Sequence, residues 1–587
     1  MRAFQSVQRC RLTAAVECGL TADCRRRPWV AFFGMTAVAL AGNALPAFAA
    51  TYIVDTPADV PTQNKTTLRE AVSQANLSSD NFVEFAPALN GSTITLTQGE
   101  IPVNQPMTIV GPGADRLTIS GNDASRIFNI STASNTPIAV TLSGLTLSHG
   151  HAGSSFLGGA IYTSNVSLNL LDATLEYNNA LQGGAIFLHS GGGVASAAKL
   201  MRTTVANNST NPSFGQGGGI FAQGGATLQV VDSIISANTS GEAGGGTFYN
   251  VGATTIETSR ITGNHATGSL GGGLFFFNSP NAVATSSVTI DNSTISDNSS
   301  VLNGGGLQLT NVVAVLTGDT ISGNSASAAG GGVFVFDSTS PMVTQLTLQQ
   351  SSVTGNNAIT FGGGIDADRA LSISVNRSLI SGNSVADPAG GGGGIAIGYA
   401  KSRSYLNNST VYNNYAYTNG GGVGIFNAAD QTTFNGATIV QNYTFGSTSN
   451  GILGAGSTAL LNSIVAYNFS HYHNQDLDGS GSIFESYSLI RAVGGASITT
   501  ITGNRNGEDP LLGVLTVNGG PTLTMMPASS PSKSPALDTG EVNPPPSGTD
   551  QRGLPRSANG RRDMGAVERQ YPEDVIFRDG FDTLFPG

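Results

Sequence analysis

The chain has 587 residues, 78 of them glycine, with only 11% charged residues and a mean hydropathy near zero. Charge is too scarce for a disordered chain, and Gly, Thr and Asn are poor interior helix residues, so a helical bundle is excluded too. A formal net charge of −11 argues against a nucleic-acid partner.

Residues 1–49 read as an export signal. "RRRP" (Arg25 to Pro28) precedes the apolar run "WVAFFGMTAVALAGNAL", and "AFA" ending at Ala49 places small residues at a cleavage position. Gly42, Asn43 and Pro46 break the apolar stretch too early for a membrane anchor, so no transmembrane helix is expected in the mature chain. Removal of this segment takes away Cys10, Cys18, Cys24 and Trp29 and leaves 20 basic against 35 acidic residues. The mature protein would then be held by packing and hydrogen bonds alone, without disulfides.

Residues 50–135 read as an N-terminal cap with the first coils. Within "TTLREAVSQAN", 66–76, Thr67 can cap a short helix, with Glu70 three residues on. Alternating apolar runs follow over 83–121.

Residues 136–490 are a repeat. Ten copies of a glycine pair or triplet, from "GGAIY" at 158 to "GGGVG" at 420, recur with a mean period of about 29 residues. An asparagine column keeps the same phase: Asn178, Asn207, Asn238, Asn264, Asn298, Asn324, Asn356, Asn383, Asn413, Asn442 and Asn468. Short alternating runs such as "TLQVVDSIISAN", with no helical period, favour an all-β, right-handed parallel β-helix with about three strands per coil. Ten to thirteen coils would make a rod about 50–60 Å long. Glycine suits the bends, and the asparagines suit a structural ladder of stacked amides.

Alternation along the strand after the glycines sorts the columns. Ile161, Ile186, Ile220, Thr247, Leu274, Leu307, Val333, Ile365, Ile395 and Val423 should face inward. The intervening Tyr162, Phe187, Phe221, Phe248, Phe275 and Phe334 should face outward, as a sugar-stacking groove, a partner surface or a ledge covered by a loop. Asp366 interrupts this stripe, with Asp368 on the same face at a Cα spacing of about 6.5–7 Å. That spacing suits two-carboxylate glycoside chemistry of the inverting kind, with Arg369, Asp337 and Lys401 as neighbours. The plainer reading is a solvated acidic patch.

Residues 491–570 lack the glycine motif, are rich in proline and read as a C-terminal cap. The tail 571–587 mixes aromatics with acids, as a sorting signal or a frayed end. Arg69 and Glu70 at one end, and Asp550, Arg552, Arg556, Asp563 and Glu568 at the other, are expected to form ion pairs that fasten the caps. An acid–base site is the sharper alternative for them.

These segments carry a resemblance. "TTLREA", "ITLTQGEIPV" and "IVGPGADRLTISG" resemble the CSLREA module of bacterial exported β-helix proteins. "NGGPTLT", "SPALDTG", "DQRGLPR" and "DMGAVE" resemble the choice-of-anchor Q module, and the central repeats resemble those of chlamydial polymorphic outer membrane proteins. Thr66 and Arg562 stand where cysteines are usual in those modules. Autotransporter-like relatives end in a membrane barrel. The Pro-rich stretch of about 100 residues after the last coil is too short for one and lacks its alternation.

Uniform repeats, capped ends, the export signal and the lack of an evident catalytic cluster favour a secreted or outer-membrane-associated, non-enzymatic rod acting as adhesin or structural component. Its partner would be an extracellular glycan or a cell-surface protein. A polysaccharide lyase or glycoside hydrolase is the alternative, since the β-helix is also the scaffold of pectin-degrading enzymes. No motif calls for a cofactor or metal.

Overall fold

The computed structural model describes residues 49–570 apart from 133, 135, 154–155, 192–194, 251, 280–285, 340–342, 399–401, 447–449, 472–473, 543–547 and 557–559. The expected export signal, save Ala49, and the tail 571–587 lie outside the described residues. The chain winds as a right-handed parallel solenoid of about 15 turns. That exceeds the ten to thirteen coils expected from the repeat, because the coils before residue 150 lack its glycine and asparagine marks. At about 4.8 Å per turn the stack is about 70 Å long.

One turn contains four strands rather than three. Ile186–His189 follows the glycines, then come Ala197–Met201, Thr204–Ala206 and the two-residue Ser209–Thr210. Equivalent strands of successive turns pair in parallel, giving sheets of 14, 17, 15 and 11 strands. The expected inward column is continuous in register: Ile220 pairs with Thr247, then Leu274, Leu307, Val333 and Ile365. All of them are fully buried in one core that runs from Val54 to Ile490. Burying β-branched and aliphatic side chains at every second position is what holds strands this short together.

The glycine triplet has a steric cause at each position. Gly271 has φ +65, and a Cβ on it would lie 2.6 Å from the Cβ of Phe275. On Gly272 it would lie 2.3 Å from the carbonyl oxygen of Gly305, and on Gly273 2.9 Å from Cγ of Asn298. The chain therefore folds tightly against its own next strand and against the asparagine column.

That column is a ladder. The backbone N–H and Nδ2 of each asparagine both donate to Oδ1 of the asparagine one turn on, at 2.9–3.0 Å. The rungs are Asn178, Asn208, Asn238, Asn264, Asn298, Asn324, Asn356, Asn383, Asn414, Asn442 and Asn468. Two expected members are displaced by one residue. Asn207 and Asn413 are exposed at φ +57 and +51, and the buried rungs are their neighbours Asn208 and Asn414. At 207–208 and 413–414 the first asparagine takes the left-handed turn and the second points in, whereas at 178–179 and 356–357 Tyr177 and Gly355 take the turn and the first asparagine is the rung.

A second ladder of hydroxyls, unmarked by any sequence expectation, runs at the next corner. The backbone N–H of Thr203, Ser233 and Ser259 each donates to the Oγ of the serine one turn on. Ser351 and Ser378 continue it. Asp319 occupies one place in this row: it accepts from Ser293 N at 2.7 Å, and its own N–H donates to Ser351 Oγ.

At the N-terminal end the helix Leu68–Ala75 buries Leu68, Ala71, Val72 and Ala75 over the open interior. Thr67 and Glu70 form a reciprocal capping box, so Glu70 caps the helix rather than pairing with a cation. Arg69 makes the expected ion pair, with both carboxylate oxygens of Asp59 at 2.9 and 3.1 Å.

Only the start of the C-terminal segment lies over the end of the solenoid: the N–H groups of Ile501, Arg505 and Gly507 donate to the carbonyls of Glu485, Ser488 and Ile490 in the last turn. After a last short strand at Ile498–Thr500 the segment turns back along the flank of the rod, over the three-residue strands. Met525, Ala536 and Met564 pack on Val440, Ile464, Ala466 and Leu489. Gln551 reaches Thr410 and the carbonyl of Ser378, and Ala566 N–H donates to Thr438 Oγ1. Asp550 pairs with Arg552 at 2.7 Å, and Arg552 also donates to the Glu568 carbonyl. Asp563 and Glu568 take hydrogen bonds inside the segment: Asp563 accepts from Asp538 and Arg569 N–H, and Glu568 from Asp563 N–H.

Arg556 is fully buried and donates to Asn408 Oδ1 and the Gly436 carbonyl. Burial, with Arg562 beside it, pulls its guanidinium down to about 10. Arg556→Ala should loosen the flank segment by about 2–4 kcal/mol. Limited proteolysis should then cut within 505–560 before it cuts the coils.

Candidate functional site

The six expected outward aromatics do leave the main core, but they are not a free surface. Phe187, Phe221 and Phe248 stack ring on ring at 5.0 Å, Phe275 meets Phe248 edge to face at 5.0 Å, and the four form a separate apolar cluster with Leu157, Ala243 and Leu270 from the loops before the glycines. Phe334 is buried as well, and half-buried Tyr162 lies under the Arg126 guanidinium at 5.2 Å. The glycine turns bring those loops down onto the rings, so the stripe is the floor of a covered ledge.

The floor changes where Asp366 replaces an aromatic. In register it runs Phe334, Asp366, Ala396, Gly424. Two successive small residues open a cleft of about 280 Å³, lined by Asn303, Ala329, Phe334, Phe361, Asp366, Asp368, Ala396, Gly398 and Phe426. Phe361 and Phe426 meet edge to face at 5.3 Å and form one wall. Phe426 lies over Gly424, where a Cβ would come within 2.4 Å of its ring, so glycine is what admits it.

Asp366 is 6% exposed. Among the described residues no group hydrogen-bonds its carboxyl. Burial, reinforced by the Asp368 charge, holds Asp366 well above the ordinary carboxylate range. Half-buried Asp368 is also raised by burial, with Arg369 opposing the shift. Both carboxyls therefore hold a proton more readily than an exposed aspartate does, Asp366 the more strongly because it is the more deeply buried. The pair is not the solvated patch of the plainer sequence reading.

The expected helpers are placed elsewhere. Asp337 is fully buried and clamps a loop, accepting from Thr339 N–H and Oγ1 and from the N–H groups of Val343 and Thr344. Burial alone would raise it, but these four bonds outweigh burial and lower it. Exposed Arg369 lies over the Phe336 ring at 5.8 Å. Lys401 is outside the described residues.

An aromatic surface does exist on a different sheet. Tyr415, Tyr443 and Phe469 stack along the two-residue strands with centroids 5.5 and 5.1 Å apart. Tyr417, Phe445 and His471 form a parallel row at 5.2 and 5.5 Å. Phe469 is 43% and Phe445 39% exposed, and a groove of about 390 Å³ runs beside the first row. The signal was present as "NYAYT", "NYTFG" and "NFSHY", three copies with an aromatic or histidine at the first and third places after the ladder asparagine. Among the described residues no three His, Cys, Asp or Glu side chains are grouped to hold a metal.

Residues 159–358 match the family model of the right handed beta helix region. No curated protein matches the chain in sequence. Similar solved structures include a mannuronic acid specific polysaccharide family 6 lyase from human gut microbiota. It is 9% identical with a TM-score of 0.33, over 78% of this chain and 91% of that one. Pectate lyase Pel9A is 14% identical with a TM-score of 0.26, over 89% and 96%. The PL6 family alginate lyase AlyGC is 10% identical with a TM-score of 0.17, over 78% and 100%. Likeness at this level carries nothing about activity. By its own strand register and the matched central region, the chain is a right-handed parallel β-helix protein.

Proposed function

We propose that the protein is an exported, non-enzymatic rod, secreted or held at the cell surface, that binds extracellular glycan along its flank. The doubled row Tyr415, Tyr443, Phe469 and Tyr417, Phe445, His471 carries this reading. Six rings in two files give a partly apolar strip, against which the C–H face of a sugar ring can lose water while its hydroxyls stay solvated. The export signal and the acidic, cysteine-free mature chain support an extracellular setting. Cell fractionation with and without residues 571–587 tests attachment.

Affinity electrophoresis against a panel of neutral and acidic polysaccharides tests the binding. Tyr443→Ala combined with Phe469→Ala should weaken retardation by about tenfold, while Phe221→Ala should lower stability and leave retardation intact. Wild-type retardation by the double variant would remove the proposal.

Glycan cleavage at Asp366 and Asp368 is the second reading, favoured by their unequal carboxyls in one cleft. Product release abolished by Asp366→Asn, with the fold intact, would establish it over the first.

A further inference from the structure

The cleft at Asp366 has a chemistry of its own, apart from the aromatic rows. Two carboxyls enter it, three phenyl rings border it, and the nearest described cation, Arg369, is turned onto Phe336. We propose that this cleft is a binding site for a small organic ammonium ion, of the size of choline or an amino-sugar unit.

The Asp366 residue is nine-tenths buried, its carboxyl opens only into the cleft and takes no hydrogen bond from the described residues, and a cation brought there would offset its lost hydration. The rings decide which cation. Phe334, Phe361 and Phe426 offer apolar surface and electron-rich faces, which attract an ammonium carrying methyl or methylene groups. A hard metal ion wants six or more oxygens. The cleft supplies the two carboxyls and Asn303, whose Oδ1 already accepts from Ala329 N–H. Size agrees: about 280 Å³ is at the small end of ligand cavities. The negative pair disfavours a uronate, so the site selects against acidic sugars.

Isothermal titration of the purified protein at low salt with choline, glucosamine, glucose and calcium chloride tests this. Choline or glucosamine should bind and glucose should not. Asp366→Asn, which keeps the shape and removes the ionisable carboxyl, should weaken binding about tenfold or more. Ala396→Leu, which keeps both carboxyls and fills the floor, should do the same, with circular dichroism showing both variants folded. The proposal is overturned by the absence of ammonium binding, by affinity unchanged in Asp366→Asn, or by calcium binding in place of the organic cation. Loss of glycan binding in the Tyr443 and Phe469 variants would leave this titration unchanged, so the two sites stand or fall separately.

Discussion

Asn324→Ala should be among the most damaging single changes in the rod, costing about 3–6 kcal/mol locally. Asn324 accepts from both the N–H and Nδ2 of Asn298, and its own Nδ2 donates to Asn356 Oδ1 and the Ile295 carbonyl. Alanine leaves two buried donors of Asn298 without a partner, deprives an acceptor on each side, and adds a small void. Asn207→Ala, at a position a repeat alignment would treat as equivalent, should cost only about 1 kcal/mol, the penalty of an exposed left-handed residue. Urea unfolding of both variants, with hydrogen exchange to locate the opening, checks the contrast. Equal losses would mean the ladder is not the stabilising device.

Asp319→Ser should stabilise the protein at pH 8 and change little at pH 4. Asp319 stands in a row of serines, 1% exposed, with one carboxyl oxygen unpartnered. Burial, together with the nearby Asp291 charge, pushes it up to about 7, against the hydrogen bond from Ser293. The proton-bearing form is therefore the one the fold accepts. A carboxyl raised on folding contributes fully below its unfolded value near 4, and that contribution is lost as pH rises through about 7. Serine fills the same place with a neutral acceptor, so the gain at pH 8 should be about 2–4 kcal/mol.

Asp430, Asp476 and Asp563 are each raised to about 6, chiefly by burial, and act in the same direction. Asp59 and Asp337 are lowered, since hydrogen bonds, and for Asp59 the Arg69 charge, outweigh burial, so their contribution disappears in acid. Thermal unfolding of the wild type should therefore peak between about pH 4 and 6. A variant flat across that range at Asp319 alone would isolate its share.

The solenoid was legible because it repeats. One period fixed the inward column from Ile161 to Val423 with no slip, since alternation leaves one choice of face per strand. The ladder was legible to within a residue: "NN" at 207–208 and 413–414 offers two asparagines, and only backbone geometry says which turns inward. The aromatic cover was legible only as one of three alternatives, because whether an outward ring meets water depends on how far the preceding loop folds down. The Asp366 cleft depended on residues 30 and 58 positions further on, Ala396 and Gly424, whose smallness matters only once the turns are stacked. The flank segment was misplaced for a related reason. Its proline-rich chain marks an end of the repeat but carries no periodicity saying which surface it meets.

The asparagine ladder stops at Asp476, which accepts from both the N–H and Nδ2 of Asn468 at 2.8 Å. Every amide before it gives in one direction, so the file is a polar wire, and a residue without an NH2 group is its terminator. Whole turns added or removed upstream of Arg377, where the flank segment's contacts begin, would leave the closing acid and the flank segment untouched. The length of the rod would then vary by increments of one turn while its C-terminal end keeps a constant build.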